Sequence, residues 1–210
     1  MKKFLVLALI CILATSAFAQ DIKFGAGISL DYMPMFQNLT VDVADTDVNT
    51  SMNLLGVSAY FDASFVSLAV GYAFTMGGST DDGRVFGVDV DNETNDDFTM
   101  SMFTITLLGK YPFDMGGWYL FPMVGIEYSI MIMYSGDGGD TNMVGETGYD
   151  DMNDIVLLGG VGAAFMVDKF VIAPKVLFIY NLTPAPVEDP DPAEISQWGI
   201  AIGINVGYMF

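Results

Sequence analysis

From Gln197 to Phe210 the chain alternates without a break: Trp198, Ile200, Ile202, Ile204, Val206, Tyr208 and Phe210 share one parity, and Gln197, Gly199, Ala201, Gly203, Asn205, Gly207 and Met209 the other. A period of two sends successive side chains to opposite faces of a strand. This segment is therefore a strand with one bulky apolar face and one small or polar face. Residues 22–32 repeat the design, with Ile22, Phe24, Ala26, Ile28, Leu30 and Tyr32 set against Lys23, Gly25, Gly27, Ser29 and Asp31. The same periodicity predicts six more strands, over 53–62, 65–76, 98–111, 118–134, 154–167 and 170–182. Several reach the roughly 9 to 11 residues that a tilted strand needs to cross a bilayer.

No charged residue occupies the bulky face of any of the eight. A Lys or Arg on a lipid-facing wall costs about 2 to 4 kcal/mol near the midplane, so lipid accounts for the exclusion. A soluble barrel of the lipocalin kind also alternates, but it turns its bulky residues inward and its charges outward. Here the in-strand charges Lys23, Asp31, Asp62, Lys110, Glu127, Asp154 and Lys175 share a face with Gly, Ala, Ser and Thr, the residue sizes a narrow lumen accepts. Tyr32, Phe61, Phe74, Tyr111, Trp118, Tyr134, Phe165, Phe170, Tyr180, Trp198, Tyr208 and Phe210 fall near the ends of the apolar face, where interfacial girdles form. The fold class predicted is all-β: an eight-stranded, antiparallel, up-and-down transmembrane barrel.

Connections alternate in length. Short turns fall at 63–64, 112–117 and 168–169, and long loops at about 33–52, 77–97, 135–153 and 183–196. An even strand number places both termini on the short-turn side, which is periplasmic in this architecture. The long loops, holding 19 of the 26 acidic residues with Arg84 as their one cation, then form an acidic extracellular crown. A formal net charge of −19 gives no electrostatic footprint for nucleic acid. The runs 89–93 and 137–140 have the oxygen ligands that hard cations require, but neither has the spacing of an ordered calcium loop. Charge that keeps loops solvated explains them as well.

Met1-Lys2-Lys3, the apolar run Phe4–Leu13 and the small-residue site Ala17-Phe18-Ala19 read as a secretory signal peptide over 1–19, cleaved before Gln20. The barrel domain is expected to occupy 20–210. Cys11, the one cysteine, lies in the signal core without the small residues before it that lipoprotein cleavage needs. No disulfide, metal centre or cofactor is expected.

Three segments resemble the OmpA/OmpX-like family of small outer-membrane β-barrels: Lys110-Tyr111-Pro112-Phe113, Tyr119-Leu120-Phe121-Pro122-Met123-Val124-Gly125-Ile126-Glu127-Tyr128 and Tyr208-Met209-Phe210. The resemblance spans the mature chain. It implies residence in the bacterial outer membrane, periplasmic termini, outer-membrane lipid as surroundings and a monomer. The terminal aromatics Tyr208 and Phe210 are similar to the signal read by the barrel-assembly machinery, with Asn205 where that signal often has Gly. A peptidoglycan-binding domain of the kind that follows some barrels of the family is not expected, because the chain ends with the last strand.

Glu127, Lys175 and Lys110 are the candidate lumenal charges. Pairing Glu127 with Lys175 spares each an uncompensated desolvation penalty, so an ion pair between them is predicted, with Lys23, Asp62, Lys110 and Asp168 nearer the periplasmic mouth. Catalysis is not expected: the enzymatic barrel families resemble one another in using a histidine, and this chain has none. Two functions stay open. One is a structural and surface-interaction protein whose loops meet an extracellular partner that the sequence does not name. The other is an OmpW-like narrow channel for small or apolar solutes, suggested by Phe121, Met123, Leu158, Met166, Leu177 and Ile179 on the lumen side.

Overall fold

A computed structural model describes residues 23–41, 46–80, 83–85, 88–90, 99–136, 139–142, 153–183 and 193–210. The signal segment, with Ala17, Ala19 and Gln20, lies outside the described residues. Eight long strands make the wall: β1 (Phe24–Val41), β2 (Thr46–Ala63), β3 (Val66–Thr80), β4 (Thr99–Lys110), β5 (Trp118–Gly136), β6 (Asp154–Val167), β7 (Phe170–Asn181) and β8 (Ala193–Met209). Each pairs antiparallel with its chain neighbours, and β8 pairs with β1, so the sheet closes. Short strands accompany it: Gly83–Val85 with Val88–Val90, Phe113–Asp114 against β5, and Gly139–Asn142 against the end of β5.

The registers fix the dimensions. Following paired residues once around, Ala26, Phe61, Leu68, Leu107, Ile126, Leu157, Tyr180 and Trp198 lead back to β1 at Phe36, ten residues above the start. Strands about 4.8 Å apart rising about 3.3 Å per residue must then tilt about 41° from the axis, giving a backbone radius of about 8 Å. An interior of that width is narrow enough for side chains to fill most of it.

The outer wall is as the parity predicts. Ile28, Val124, Val161, Ile202 and their neighbours on the bulky face are exposed outward. Aromatic pairs bound the belt at both levels. Phe24–Phe61, Trp118–Phe165 and Phe170–Tyr208 stand at the short-turn end, and Phe36–Trp198 and Phe178–Trp198 at the other. Trp198 and Tyr208 are ten residues apart on β8, about 25 Å along the axis at this tilt, the height of an outer-membrane apolar band. Tyr134, also expected in a girdle, has its side chain outside the described part.

Short turns use the conformations that sharp reversals demand. Ser64 and Asp168 have φ of 51° and 55°, and Gly116 and Gly117 have 79° and 121°, the left-handed region that hairpins exploit. The Gly116 amide donates to Asp114 Oδ1 at 2.8 Å.

The strand ends correct the sequence reading. Residues 33–52, expected as a loop, are mostly the upper parts of β1 and β2, paired from Tyr32↔Leu55 to Val41↔Thr46. β3 reaches Thr80, β5 reaches Gly136 and β8 begins at Ala193, each beyond its predicted end. Beyond the belt the outer face no longer meets lipid, so the apolar-outward contrast that marks a membrane strand fades while the hydrogen-bond ladder continues.

Candidate functional site: the lumen

At the short-turn end, Lys110 Nζ meets Asp62 Oδ2 at 2.7 Å and lies 5.3 Å above the Phe121 ring. The pair joins β4 to β2 across β3, where Asp62 faces Ser67, a side chain small enough to pass under it. Phe121 in turn covers Gly162, where a Cβ would run into the ring, and the Tyr60 hydroxyl reaches over Gly27 and Gly207, where a Cβ would meet that hydroxyl and the facing strand's backbone. Glycine is required there by close approach, not by turn geometry.

Halfway up, Lys175 Nζ contacts Asp31 Oδ1 at 3.0 Å. This corrects the expected pairing with Glu127. Asp31 and Lys175 both face Gly203, from β1 and β7 respectively, so the ammonium crosses β8 where no side chain intervenes. A Cβ on Gly203 would collide with the Asp31 carboxylate. Ser29 Oγ donates to Asp31 Oδ2 at 2.7 Å. Glu127 accepts from Thr106 Oγ1 at 2.6 Å and from Ser129 Oγ at 3.5 Å, so hydroxyls from its own and the neighbouring strand satisfy it. Parity alone places Asp31 in the lumen, but its partnership depends on register, which parity does not carry.

Asp31, Glu127, Lys175, Tyr60 and Asn205 border one cavity. Its free volume of about 60 Å³ holds roughly four waters at about 15 Å³ each. Asn205 Oδ1 is buried beside it without a hydrogen-bond partner. Water is the natural donor there.

Toward the long-loop end the lumen turns apolar. Leu54, Leu158, Leu177 and Ile179 are buried in one cluster with Met35, Met52 and Met100, and Met33, Met102 and Met131 pack against it. Phe121 and Met123 are also buried, as expected, whereas Met166 is 36% exposed near the end of β6 and adds nothing to the lumen core. Opposite the methionines, Asn181 donates to Asp154 Oδ1 and Gln197 Oε1, both at 2.7 Å. This network ties β6, β7 and β8 at the rim.

Tyr208 lies on the outer face, its ring 5.5 Å from Phe170, 6.1 Å from Phe210 and 5.7 Å from Lys169 Nζ. Of the acidic runs, Asp89 lies in the short strand Val88–Val90 and Asp140 in Gly139–Asn142; residues 91–93 and 137–138 are outside the described part. Among the described residues, no three His, Cys, Asp or Glu side chains group as a metal site.

No known family profile and no curated protein sequence matches the chain. Solved structures do. Neisserial surface protein A matches over 89% of this chain and 99% of its own, with 12% identity and a TM-score of 0.43. The attachment invasion locus protein Ail of Yersinia pestis matches over 89% and 99%, with 15% identity and a TM-score of 0.35. A major outer membrane protein of Thermus thermophilus matches over 88% and 99%, with 17% identity and a TM-score of 0.42. With eight antiparallel strands closed into a ring, an apolar outer belt and side chains packed into a narrow lumen, the chain has the architecture of a small transmembrane β-barrel.

Proposed function

We propose that the protein serves as a structural anchor and surface-interaction module, the barrel fixed in outer-membrane lipid and the acidic loops offered to an extracellular partner. The observation that carries this reading is the obstructed lumen. Two ion pairs project into it from the wall beside β3 and β8, an apolar cluster packs along its length, and the cavity beside Asp31 and Lys175 has room for only a few waters. In this reading the protein is a monomer with no catalytic role, both termini and the short turns are periplasmic, and Tyr208 and Phe210 present the terminal signal to the assembly machinery. The long connections leave the opposite rim, where the extended hairpin of β1 and β2 stands above the belt.

The apolar character of the upper lumen favours the second reading, a narrow conduit for small or apolar solutes. Planar-bilayer recording on the refolded protein, with and without the long loops, separates the two. The anchor reading expects no discrete openings in either form and loss of surface binding when the loops are removed. Openings that persist without loops overturn it.

A further inference from the structure

The lumen's methionines are not spread evenly. The tilt set by a ten-residue climb over eight strands raises the level by about 1.25 residues per strand. Applied to the registers, it brings Met35, Met52, Met100, Met102 and Met131 within about 5 Å of one another along the axis. They form one layer, level with the upper girdle. Met35 pairs directly with Met52 across β1 and β2, and Met102 with Met131 across β4 and β5. Directly opposed residues on one face have Cβ atoms about 5 Å apart, and the thioether sulfur is two bonds farther along a flexible side chain. Two sulfurs can therefore close on a single ion. Met35, Met52 and Met100 belong to the buried lumen cluster, and Met102 and Met131 pack against it.

Packing alone does not call for this choice. One layer down, the same lumen is filled by Leu54, Val156 and Ile179, which have better-defined rotamers. Methionine adds to an apolar layer one thing that leucine lacks, a soft, polarizable donor. On the opposite side of the same level stands the Asp154 carboxylate, held by Asn181. The segments joining the strands at this end carry most of the chain's acidic residues, and a field of that sign concentrates cations at the mouth.

We infer that the layer of Met35, Met52, Met100, Met102 and Met131 is a binding site for a soft monovalent cation, of which Cu(I) is the biological representative and Ag(I) the convenient probe. Thioethers bind as neutral ligands, so no proton is released. Asp154 offsets the ion's charge from across the layer. Hard cations gain nothing from sulfur and are not retained.

The test is a titration of silver nitrate into the full-length mature barrel, refolded in detergent micelles with methyl-labelled methionine and followed by NMR. The methyl signals of the layer shift and saturate at a fixed stoichiometry. Those of Met76 and Met133, exposed on the wall, do not, and sodium or calcium leaves all of them in place. The variants Met35→Leu/Met52→Leu and Met102→Leu/Met131→Leu, each shown to be folded by its heat-modified gel shift, weaken silver binding by about tenfold or more. Equal shifts at buried and exposed methionines, no saturation, or unchanged affinity in both double variants overturns the site. Should one double variant not fold, the other decides.

Discussion

Ile202 and Gly203 are neighbours in β8 and face opposite ways. Ile202 is 55% exposed on the outer wall and could exchange with most apolar residues, because its surroundings are fluid. Gly203 lies beneath the bridge from Lys175 to Asp31 and admits no side chain. The outer face is thus selected by a solvent, which tests polarity and little else. The inner face is selected by particular neighbours, which test shape and charge residue by residue.

The sharpest attempt to break this contrast uses glycine on both faces. Gly203→Val drives a branched side chain into the Asp31 carboxylate and should abolish the heat-modified, folded band after refolding. Gly159→Val, on the outer face with open space around it, should fold like the parent. If both fold equally well, the inner face is softer than described.

Next in size is Lys175→Met, which strands Asp31 in the lumen. Removing one member of a buried pair costs about 3 to 5 kcal/mol, measurable by urea unfolding from lipid vesicles. Adding Asp31→Asn should recover much of that loss. In double-mutant cycles Lys175 should couple more strongly to Asp31 than to Glu127, and the reverse order would overturn the assigned pair.

On the lipid side, Ile202→Arg, near mid-belt, should cost about 2 to 4 kcal/mol, and the same change at Val167, at the belt's edge, about 0 to 1 kcal/mol. A flat profile would mean that the outer face is not sensing membrane depth. Smallest is Tyr32→Phe. It removes the hydrogen bond from the Tyr32 hydroxyl to Asn53 Oδ1, 2.6 Å long on the outer face, and should lower stability by about 0.5 to 1.5 kcal/mol.

The same contrast explains what could be read in advance. Lipid acts on every outward residue in the same sense, so strand number, parity and facing were legible from alternation alone. Strand ends were not. In the upper part of β1, Met33, Met35 and Gln37 face Pro34, Phe36 and Asn38 across the wall, and no period survives. Register shifts at Asn53/Leu54 and Ser101/Met102 further blur the count where the lumen meets the rim. Lumenal partners were legible only as a pool of inward charges. Lys175 finds Asp31 because β7, β8 and β1 align at Gly203, and that alignment is a property of the closed ring as a whole. The methionine layer was hidden for the same reason, its members lying on four strands and sharing a level only once the tilt is known.

Seven of the eight wall contacts join strands adjacent in the chain. The eighth, between β1 and β8, brings Gly25 against Met209 and is finished by the Phe210 amide donating to Phe24 O at 2.9 Å. Such a ring has one seam without a covalent hairpin, and it joins the first strand of the ring to the eighth. Until Met209 is available, β1 and the most recent strand both present unpaired backbone, a template for pairing with other chains. The closure is also the most distant contact in the sequence, the kind that forms slowly. Shielding those two edges through the wait is therefore the central demand that this architecture makes on its own biogenesis, and a chain that cannot complete the seam is expected to aggregate rather than persist as an open sheet.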